Sequence, residues 1–331
     1  MAKAWTPAEL MDTVRAFQPA CVISAAADLD VFSALDGQPM TAPMLAARIN
    51  GQPRPTGILL DALVALELVE KERDTYAISL VVARLLSSKR PDNILSAVHH
   101  LGNCLRRWVQ LPQVVQNGKP AERTASVRGG AADREAFIDA MNTFNVSVAP
   151  GVVAKLGNLT FQRLLDIGGA SGTWTIAFLL AAPDASAILF DLPEVIPMAR
   201  QRLTDADLID RVTLVAGDYN LDEIPAGADL AWLSAVAHQN SREQNRILFA
   251  KIHTALAAGG ALVIRDVVLD VSRTCPVGGA LFAVNMLVGT EGGNSYTLAE
   301  YRDDLIRAGF SEVELVYQDE GMNSLICAKK G

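Results

Sequence analysis

This chain has few cysteines and no long apolar run, and both features limit the classes of protein to which it can belong. Only four cysteines occur in 331 residues and none forms a CxxC pair, so neither a disulfide framework nor a zinc site is predicted. No apolar run reaches the roughly 18 to 20 residues that a membrane-spanning helix needs. The first residues, MAKAWTPAELMDTVRAF, have the pattern of an amphipathic helix rather than of a signal peptide. We therefore expect a cytoplasmic protein with no membrane partner.

Basic residues are also fewer than acidic residues. The 29 Lys and Arg residues are outnumbered by 37 Asp and Glu residues, which gives a formal net charge of -8. Proteins that bind nucleic acids carry basic surfaces, so this balance argues against a nucleic-acid partner. Hydrophobic residues make up 50% of the chain, which is enough for one or two domains with a full core.

The pattern of apolar residues changes near residues 145 to 160, from helical periods to short strands that alternate with helices. We predict an N-terminal domain over 1–100, a helical bridge over 101–157 and an α/β domain over 158–331. The first helix begins at a capping box, Thr6 to Glu9. Further helical stretches precede VEKERDTYAIS, which is typical of a hairpin with its turn at Arg73 and Asp74. Helices followed by a hairpin indicate a winged helix.

Winged helices often bind DNA, but the charge of this one argues against that function. Residues 1–100 hold 9 basic and 11 acidic side chains, and the third helix carries Arg54 followed by Asp61 and Glu67. A surface that binds phosphates needs the opposite sign. The domain is therefore predicted to be structural, and a second copy of the chain is expected to cover its apolar first helices in a homodimer.

The second half is predicted to form a doubly wound, mostly parallel sheet. Helices are expected between the first five strands, and Gly259-Gly260 is expected to end the helix that begins at the capping box Ser241 to Gln244. A second capping box spans Thr297 to Glu300. A short turn joins the last two strands, so they must pair antiparallel. The predicted strands are 163–168, 186–191, 211–216, 229–235, 261–266, 311–318 and 323–330.

An acidic, glycine-rich turn follows the first of these strands, in LLDIGGASGTW. Gly169 and Gly172 match the last two glycines of a dinucleotide-binding fingerprint, but Ile167 stands where the first glycine is required. Asp166 would also repel a pyrophosphate at the start of the next helix. An acid here suits a nucleoside ligand with cationic amino and sulfonium groups, which indicates S-adenosylmethionine.

Acidic residues also follow the next two strands. Asp191 stands where a carboxylate accepts both ribose hydroxyls of a nucleoside, a position that fits NAD and S-adenosylmethionine equally. Asp218 follows the third strand, where it and Tyr219 are placed to flank an adenine. A single aspartate after a strand is usually a turn or capping residue, whereas three at the carboxyl edge of one sheet favour a ligand site.

Six motifs occur together in this half: LLDIGGASGTW, FDLPEVI, RVTLVAGDYN, SAVAHQN, GGALVIRDVVLD and MLVGTEGG. With the N-terminal pattern, the chain resembles over nearly its whole length the small-molecule O-methyltransferases that have a winged-helix dimerisation domain. That family includes plant phenolic, hydroxyindole and bacterial antibiotic-tailoring enzymes. The resemblance implies a Rossmann-like class I methyltransferase sheet with a C-terminal antiparallel hairpin. It also implies S-adenosylmethionine as the cofactor and S-adenosylhomocysteine as its product.

The resemblance further implies which residues bind the cofactor and which catalyse the reaction. His238, after the fourth strand, would be the general base that takes the proton of a phenol or enol, and Asp266 would orient it. No metal is expected. The residues expected to bind the cofactor are Asp166, Gly168, Gly169, Gly172, Asp191, Leu192, Asp218, Tyr219 and Ser234.

The residues around His238 depart from the family pattern in several places. Gln239 replaces the usual Asp after the histidine, and Ser234 replaces a lysine or similar residue four places before it. Ser295 replaces the Glu of a GGxExT segment, and Glu291 is the residue that we expect to substitute for it. Some members of the family keep the cofactor but catalyse hydroxylation, decarboxylation or pericyclic chemistry. Those reactions stay open here, as does N- or C-methylation by proximity alone.

The substrate is expected to be a flat, partly polar molecule, such as an aromatic or polyketide-like secondary metabolite. Its contacts would come from the helical bridge and from the helix before MLVGTEGG, which together offer apolar faces with two amides. The residues expected to bind it are Trp108, Met141, Phe144, Asn145, Phe282, Asn285 and Met286.

Overall fold

The computed structural model describes residues 3–157 and 160–331. These residues fall into two compact units. The first unit runs to Arg106 and includes Arg123–Thr143, and the second consists of Arg107–Glu122 and Phe144–Gly331. The predicted bridge over 101–157 is therefore divided between the two units.

The first unit consists mainly of helices. Thr6 caps the first of them, because the reciprocal bonds of the predicted capping box with Glu9 are both present. Thr41 and Ser79 cap two later helices through side-chain oxygens that accept backbone N–H groups. The helices are α1 (Pro7–Arg15), α2 (Phe17–Asp28), α3 (Val31–Leu35), α4 (Ala42–Arg48), α5 (Pro53–Ala65), α6 (Leu80–Leu86) and α7 (Leu95–Trp108), the last of which continues into the second unit.

A small antiparallel sheet completes the winged-helix pattern. It contains β1 (Met40–Thr41), β2 (Glu70–Glu72) and β3 (Thr75–Ala77), in the order β1-β3-β2. The hairpin of β2 and β3 confirms the predicted turn, where Arg73 has a left-handed φ of 54°. β1 was not predicted, because a strand of two residues is too short to show an alternating pattern.

Helix α1 leaves its apolar side chains exposed within the described chain. None of its residues is buried, and Leu10, Met11 and Val14 are between 46% and 58% exposed. By contrast, Leu45 and Leu60 in the core of the same unit are 0% exposed. An amphipathic helix with an uncovered apolar face is typical of a surface that becomes buried on association.

The second unit combines helices with a large sheet. Its strands are β4 (Arg163–Ile167), β5 (Ser186–Asp191), β6 (Val212–Ala216), β7 (Ala228–Ser234), β8 (Leu256–Asp266), β9 (Val268–Leu269), β10 (Tyr296–Thr297), β11 (Phe310–Tyr317) and β12 (Ser324–Lys330). The remaining helices are α8 (Leu111–Asn117), α9 (Gly130–Asn145), which begins in the first unit, α10 (Ala149–Ala154), α11 (Thr173–Ala181), α12 (Ile196–Asp205), α13 (Arg242–Ala255), α14 (Val277–Gly289) and α15 (Leu298–Arg307).

Seven of these strands form one sheet in the order β11-β12-β8-β7-β4-β5-β6. Strands β8, β7, β4, β5 and β6 are parallel, whereas β12 and β11 run antiparallel, as predicted. Both faces of the sheet carry buried apolar clusters, so the inner parallel strands are covered on both sides, whereas the edge strand β6 has no buried residue. β9 and β10 pair separately as a short parallel ribbon.

Two details differ from the sequence-based expectation. Residues 217–227, between β6 and β7, form a loop instead of a helix, and Asp218 and Asp222 close its first turn. Helix α13 ends at Ala255, so Gly259 and Gly260 lie inside β8 rather than after the helix. Gly259 has a φ of +73°, and a Cβ on Gly260 would lie 2.9 Å from the Asp229 carbonyl oxygen. The two glycines therefore allow close strand contact at the irregular start of the β7–β8 pair.

The strand order places a crevice at the carboxyl edge of the sheet. From β4 the chain adds β5 and β6 on one side, and then returns to add β7 and β8 on the other. β4 and β7 are neighbours, with Ile167 beside Leu233. Open parallel sheets bind ligands at such a reversal of strand order.

An ion-pair cluster joins α13 to α15. The buried Asp304 carboxylate accepts hydrogen bonds from Arg242 and from Arg246, at 2.8 to 3.0 Å. Its neighbour Asp303 also accepts a bond from Arg242 and one from Arg307, but its side chain is 46% exposed. The two aspartates therefore share a partner and differ in burial.

We expect Asp304→Ala to reduce the free energy of unfolding by about 2 kcal/mol, because it leaves Arg242 and Arg246 without a carboxylate that is shielded from water. Asp303→Ala is the matched control and should cost clearly less, since water already screens its ion pairs. Urea denaturation of both variants measures the difference. Equal losses would contradict the role that the structure gives to Asp304.

Candidate functional site

The turn after β4 depends on glycine. Gly168 and Gly172 have φ values of +68° and +83°, in the region that favours glycine. A Cβ on Gly169 would lie 2.7 Å from Cγ of Leu189. The Gly168 N–H donates to the carbonyl of Phe190 at 2.8 Å, which ties the turn to β5. The three glycines predicted to bind the cofactor therefore shape a tight turn at the carboxyl edge.

Asp166 lies beneath this turn. Its side chain is 1% exposed, and Oδ2 accepts a hydrogen bond from Oγ1 of Thr175 at 2.7 Å. Burial, with a smaller contribution from Asp191, raises the pKa of Asp166 to about 7. The sequence predicted this acid at the mouth of the turn, but residue 166 still belongs to β4 and its side chain faces the first turn of α11. Its principal contacts are therefore with the protein.

Asp191, at the end of β5, joins the turn to its own strand. Oδ2 accepts the N–H of Ala170, and Oδ1 accepts the N–H of Leu192, each at 2.7 Å. Burial raises the pKa of Asp191. Each carboxylate oxygen has a second lone pair, so Asp191 retains the capacity to accept two further hydrogen bonds at the edge of the sheet.

Asp218 and Tyr219 lie in the loop after β6. Oδ1 of Asp218 accepts the N–H of Asn220 at 2.8 Å, so this aspartate stabilises its own turn. Burial raises the pKa of Tyr219, whose carbonyl accepts a bond from Lys251. Because β5 and β6 are parallel neighbours, both residues lie at the same edge as Asp191.

Ser234 ends β7 and has a partner that the sequence did not predict. Nη1 of Arg265, on the neighbouring strand β8, donates to Oγ of Ser234 at 3.0 Å. The Arg265 guanidinium also binds Oδ1 of Asn323 and lies 4.5 Å from the ring centroid of Trp174. Burial lowers the pKa of Arg265 to about 10. The sign of this contact in the sequence was Arg265 itself, a charged residue inside the apolar run ALVIRD.

His238 and Asp266 form a buried pair across the ends of β7 and β8. Nδ1 of His238 lies 2.7 Å from Oδ1 of Asp266, and the backbone N–H of His238 donates to Oδ2 at 3.1 Å. The N–H of Val267 adds a third bond, at 2.8 Å. A carboxylate accepts, so Nδ1 carries a proton, and in the neutral ring the lone pair is on Nε2. Within the described chain Nε2 has no hydrogen-bond partner and is open to solvent.

The structure does not bring Glu291 to this pair. Glu291 is exposed and borders a surface depression with Ser241, Gln244 and Ile247, at the start of α13. Ser295 is fully buried, and its hydroxyl donates to the carbonyl of Gly279 instead. Within the described chain, Asp266 is therefore the only carboxylate bonded to His238.

Helix α14 carries three of the predicted substrate-binding residues, and one of them contacts His238. The ring of Phe282 packs edge-on against the imidazole, with 4.8 Å between ring centroids. One turn further along, Asn285 accepts a hydrogen bond from the indole Nε1 of Trp108 at 2.9 Å. Met286 is buried in the same helix.

The other three predicted substrate-binding residues lie on α9. Met141 belongs to the first unit, whereas Phe144 and Asn145 form the end of α9 in the second. Their contact with a substrate stays a prediction.

In residues 3–157 and 160–331, no helix combines the length and the apolar character that crossing a membrane requires. No group of three His, Cys, Asp or Glu side chains there is arranged to hold a metal ion.

Comparison with known proteins gives two family matches and several full-length relatives. The family model described as the O-methyltransferase domain matches residues 109–311, and the O-methyltransferase dimerisation domain matches residues 11–88. The chain is 31% identical to the 3-hydroxy-5-methyl-1-naphthoate 3-O-methyltransferase of Streptomyces sahachiroi, over 98% of this chain and 95% of that one. It is also 31% identical to the tetracenomycin polyketide synthesis 8-O-methyl transferase TcmO of Streptomyces glaucescens, over 93% and 92% of the two chains.

Among solved structures, human N-acetylserotonin methyltransferase in complex with S-adenosylmethionine is similar over all of both chains, with a TM-score of 0.80 and 26% identity. The glycine turn, the acidic sheet edge and the His238–Asp266 pair thus occur in a chain whose two parts both match one family. This protein belongs to the S-adenosylmethionine-dependent O-methyltransferases that carry an N-terminal dimerisation domain.

Proposed function

We propose that the chain methylates a hydroxyl group of an aromatic or polyketide-like small molecule, with His238 as the general base. The observation that carries this proposal is the imidazole of His238. Its Nδ1 is held by Asp266 and its Nε2 has an available lone pair, at the same sheet edge as the glycine turn. Both Streptomyces relatives are named as O-methyltransferases of polycyclic aromatic or polyketide compounds.

The residues of the acidic edge fit S-adenosylmethionine. Asp191 has two acceptor positions left for the ribose hydroxyls, and the turn has no room for a side chain at Gly169. When bound, the cofactor supplies a methyl group that its sulfonium already activates. Gly168, Asp191, Leu192, Asp218, Tyr219 and Ser234 are the residues that we propose to hold it, and Asp166 supports the turn from beneath.

The role of His238 is to take a proton at Nε2. As the substrate hydroxyl becomes nucleophilic, its proton moves to that nitrogen, and the imidazole becomes a cation. Asp266 accepts the Nδ1–H bond throughout and stabilises this cation, while three N–H donors keep its own charge satisfied. Phe282 packs against the ring and limits its rotation. Much of the rate would come from holding the hydroxyl in place, because the methyl donor is already reactive.

We also propose a cytoplasmic homodimer that forms through the N-terminal domain. The match to the dimerisation domain and the exposed apolar side chains of α1 support the dimer. Dependence on S-adenosylmethionine, a metabolite made inside cells, supports the location.

Asp166→Asn should flatten the pH dependence of stability. The pKa of Asp166 in the folded protein, about 7, lies above the ordinary value of 3.8. As the pH rises from about 4 to about 7, the unfolded chain loses this proton while the folded chain keeps it, so the free energy of unfolding of the wild type should fall by a few kcal/mol. Urea denaturation of the cofactor-free protein across this range tests the point. Asp184→Asn, at an exposed position, is the control and should keep the pH dependence of the wild type. If Asp166→Asn also kept that pH dependence, the raised pKa of Asp166 would be contradicted.

Asp191→Ala should weaken the binding of S-adenosylhomocysteine by about 100-fold, because it removes the acceptor for two hydroxyl groups and releases the N–H of Ala170 from the turn. Isothermal titration measures this change. Asp184→Ala is the matched control, because Asp184 is exposed and lies just before β5, at the other end of the strand from Asp191. This variant should bind as the wild type does. Unchanged affinity in Asp191→Ala would contradict the proposed cofactor site.

His238→Ala should lower kcat by about 100-fold or more and leave the affinity for S-adenosylhomocysteine within about two-fold. His253→Gln is the control: His253 lies on α13 and packs against Phe310 of β11, so the kcat of this variant should be that of the wild type. The assay measures methyl transfer to a panel of hydroxynaphthoates and hydroxyanthraquinones. Full activity in His238→Ala would show that proximity alone is sufficient.

The same assay separates methyl transfer from other chemistry in this fold. Ser234, Gln239 and Ser295 depart from the family pattern, and enzymes with such changes can keep the cofactor and alter the reaction. Mass spectrometry should find a product in which one hydrogen is replaced by a methyl group. Any other change in mass would contradict the proposed reaction, even with the cofactor site intact.

A further inference from the structure

Lys251 lies on α13, and its ammonium group binds the backbone of the loop between β6 and β7. Nζ donates to the carbonyl oxygens of Tyr219, Asn220 and Asp222, at 3.0, 3.1 and 2.9 Å. The carboxylate of Asp222 accepts the backbone N–H of Asp218 instead, at 2.8 Å. An ammonium group has three N–H donors, so the three carbonyls use all of them.

The conformation of the loop explains why these carbonyls need a donor from outside. The N–H groups of Leu221 and Asp222 both donate to the carbonyl of Asp218, at 3.0 and 2.7 Å. The N–H of Asn220 donates to Oδ1 of Asp218 at 2.8 Å. The N–H groups thus face the start of the turn, and the carbonyls that follow lack partners within it, as they do at the end of a helix. A cation is favourable at that end, and Lys251 supplies it.

The start of the same loop is attached to β5. The N–H of Gly217 donates to the carbonyl of Asp191 at 2.9 Å. A Cβ on Gly217 would lie 2.5 Å from Cε2 of Phe190, so the chain enters the loop in close contact with that strand. Tyr219 packs against the apolar cluster beneath the loop. The backbone around Tyr219 is therefore fixed on one side by β5 and on the other by Lys251.

We infer that Lys251 is a positioning residue for the adenosine part of the cofactor, because its ammonium group holds the β6–β7 loop in the conformation that places Tyr219 at the sheet edge beside Asp191. This inference rests on the proposed function, in which Asp218 and Tyr219 bind the cofactor. All three donors of Lys251 are used by carbonyls, so the side chain acts through the loop and does not need to touch the ligand.

The test measures the affinity of two ligands by isothermal titration. They are S-adenosylhomocysteine and methylthioadenosine, which has the adenosine part but lacks the amino acid. Lys251→Met keeps a side chain of similar length and removes its donors. It should weaken the binding of each ligand by about ten-fold, because binding must then order the loop. The two factors should agree within about two-fold, since the ligands share the adenosine that the loop contacts.

Lys330→Met is the matched control. Lys330 ends β12 and donates to the carbonyls of Leu256 and Thr254, at 2.6 and 3.4 Å, but it lies at the opposite edge of the sheet, where β8 begins. This variant removes a contact of the same kind and should bind both ligands as the wild type does. All titrations are made below the thermal unfolding transition of each variant, so that a loss of stability alone does not lower the affinity.

A double-mutant cycle tests whether Lys251 acts through Tyr219. Tyr219→Ala alone should weaken the binding of S-adenosylhomocysteine. Adding Lys251→Met to that variant should then cost less than about two-fold, because the ring that Lys251 positions is already absent. Lys251→Gln keeps an amide donor on a shorter side chain and replaces Lys251→Met in the cycle if that variant does not fold. Its own loss of affinity should lie between about two-fold and ten-fold.

Kinetics give a further readout that general damage to the fold would not produce. In Lys251→Met the KM for S-adenosylmethionine should rise by about ten-fold, while kcat at saturating cofactor stays within about two-fold of the wild type. That split is expected because the loop holds the cofactor and His238 receives the proton. A lower kcat with an unchanged KM would contradict the role of Lys251 as a residue that positions the cofactor site.

The outcomes separate this inference from the proposed function. Wild-type affinity in Lys251→Met, an equal loss in Lys330→Met, a loss for S-adenosylhomocysteine alone, or full additivity with Tyr219→Ala would each overturn the inference. The wild type still binds the cofactor product in all four cases, so the proposed function would stand. A wild type that binds S-adenosylhomocysteine in the predicted Lys251-dependent way but forms no methylated product would support the inference and contradict the proposed reaction.

Discussion

The buried carboxylate of Asp266 is the group on which the arrangement of the site depends. It accepts hydrogen bonds from the ring and the backbone of His238, and from the N–H of Val267. An isolated charge at a fully buried position would cost many kcal/mol, and these three donors offset that cost. The bonds also connect the end of β8 to the segment after β7. The parallel pairing of β7 and β8 thereby determines the position of the ring and which nitrogen carries the proton.

The carboxyl edge of the sheet has two functional sides that meet where β4 lies beside β7. On one side lie Asp191 and the glycine turn. On the other side lie His238 and Phe282 of α14. In the proposed reaction, a hydroxyl substrate held between the two sides needs little further activation, because the sulfonium methyl group is already reactive.

Much of this architecture was predictable from local patterns. The parallel strands β4, β5, β7 and β8 are mostly buried, so they appear as apolar runs, and the capping boxes at Thr6, Ser241 and Thr297 mark helix starts. Long-range contacts were not predictable. Trp108 and Asn285 are 177 positions apart, and the burial of Asp166 depends on packing against α11. Glu291 is near Ser295 in sequence, yet the chain path carries it to the surface beside α13.

The proton position on His238 tests this arrangement most directly. Histidine labelled with nitrogen-15, in the cofactor-free protein at neutral pH, reports the tautomer of each ring, and comparison with His238→Gln assigns the signals of residue 238. The bond from Nδ1 to Asp266 requires a proton on Nδ1. A proton on Nδ1 in the wild type is the expected result, together with a changed proton distribution in Asp266→Asn. A ring that carries its proton on Nε2 alone in the wild type, or a proton position that does not depend on Asp266, would contradict the role of this pair.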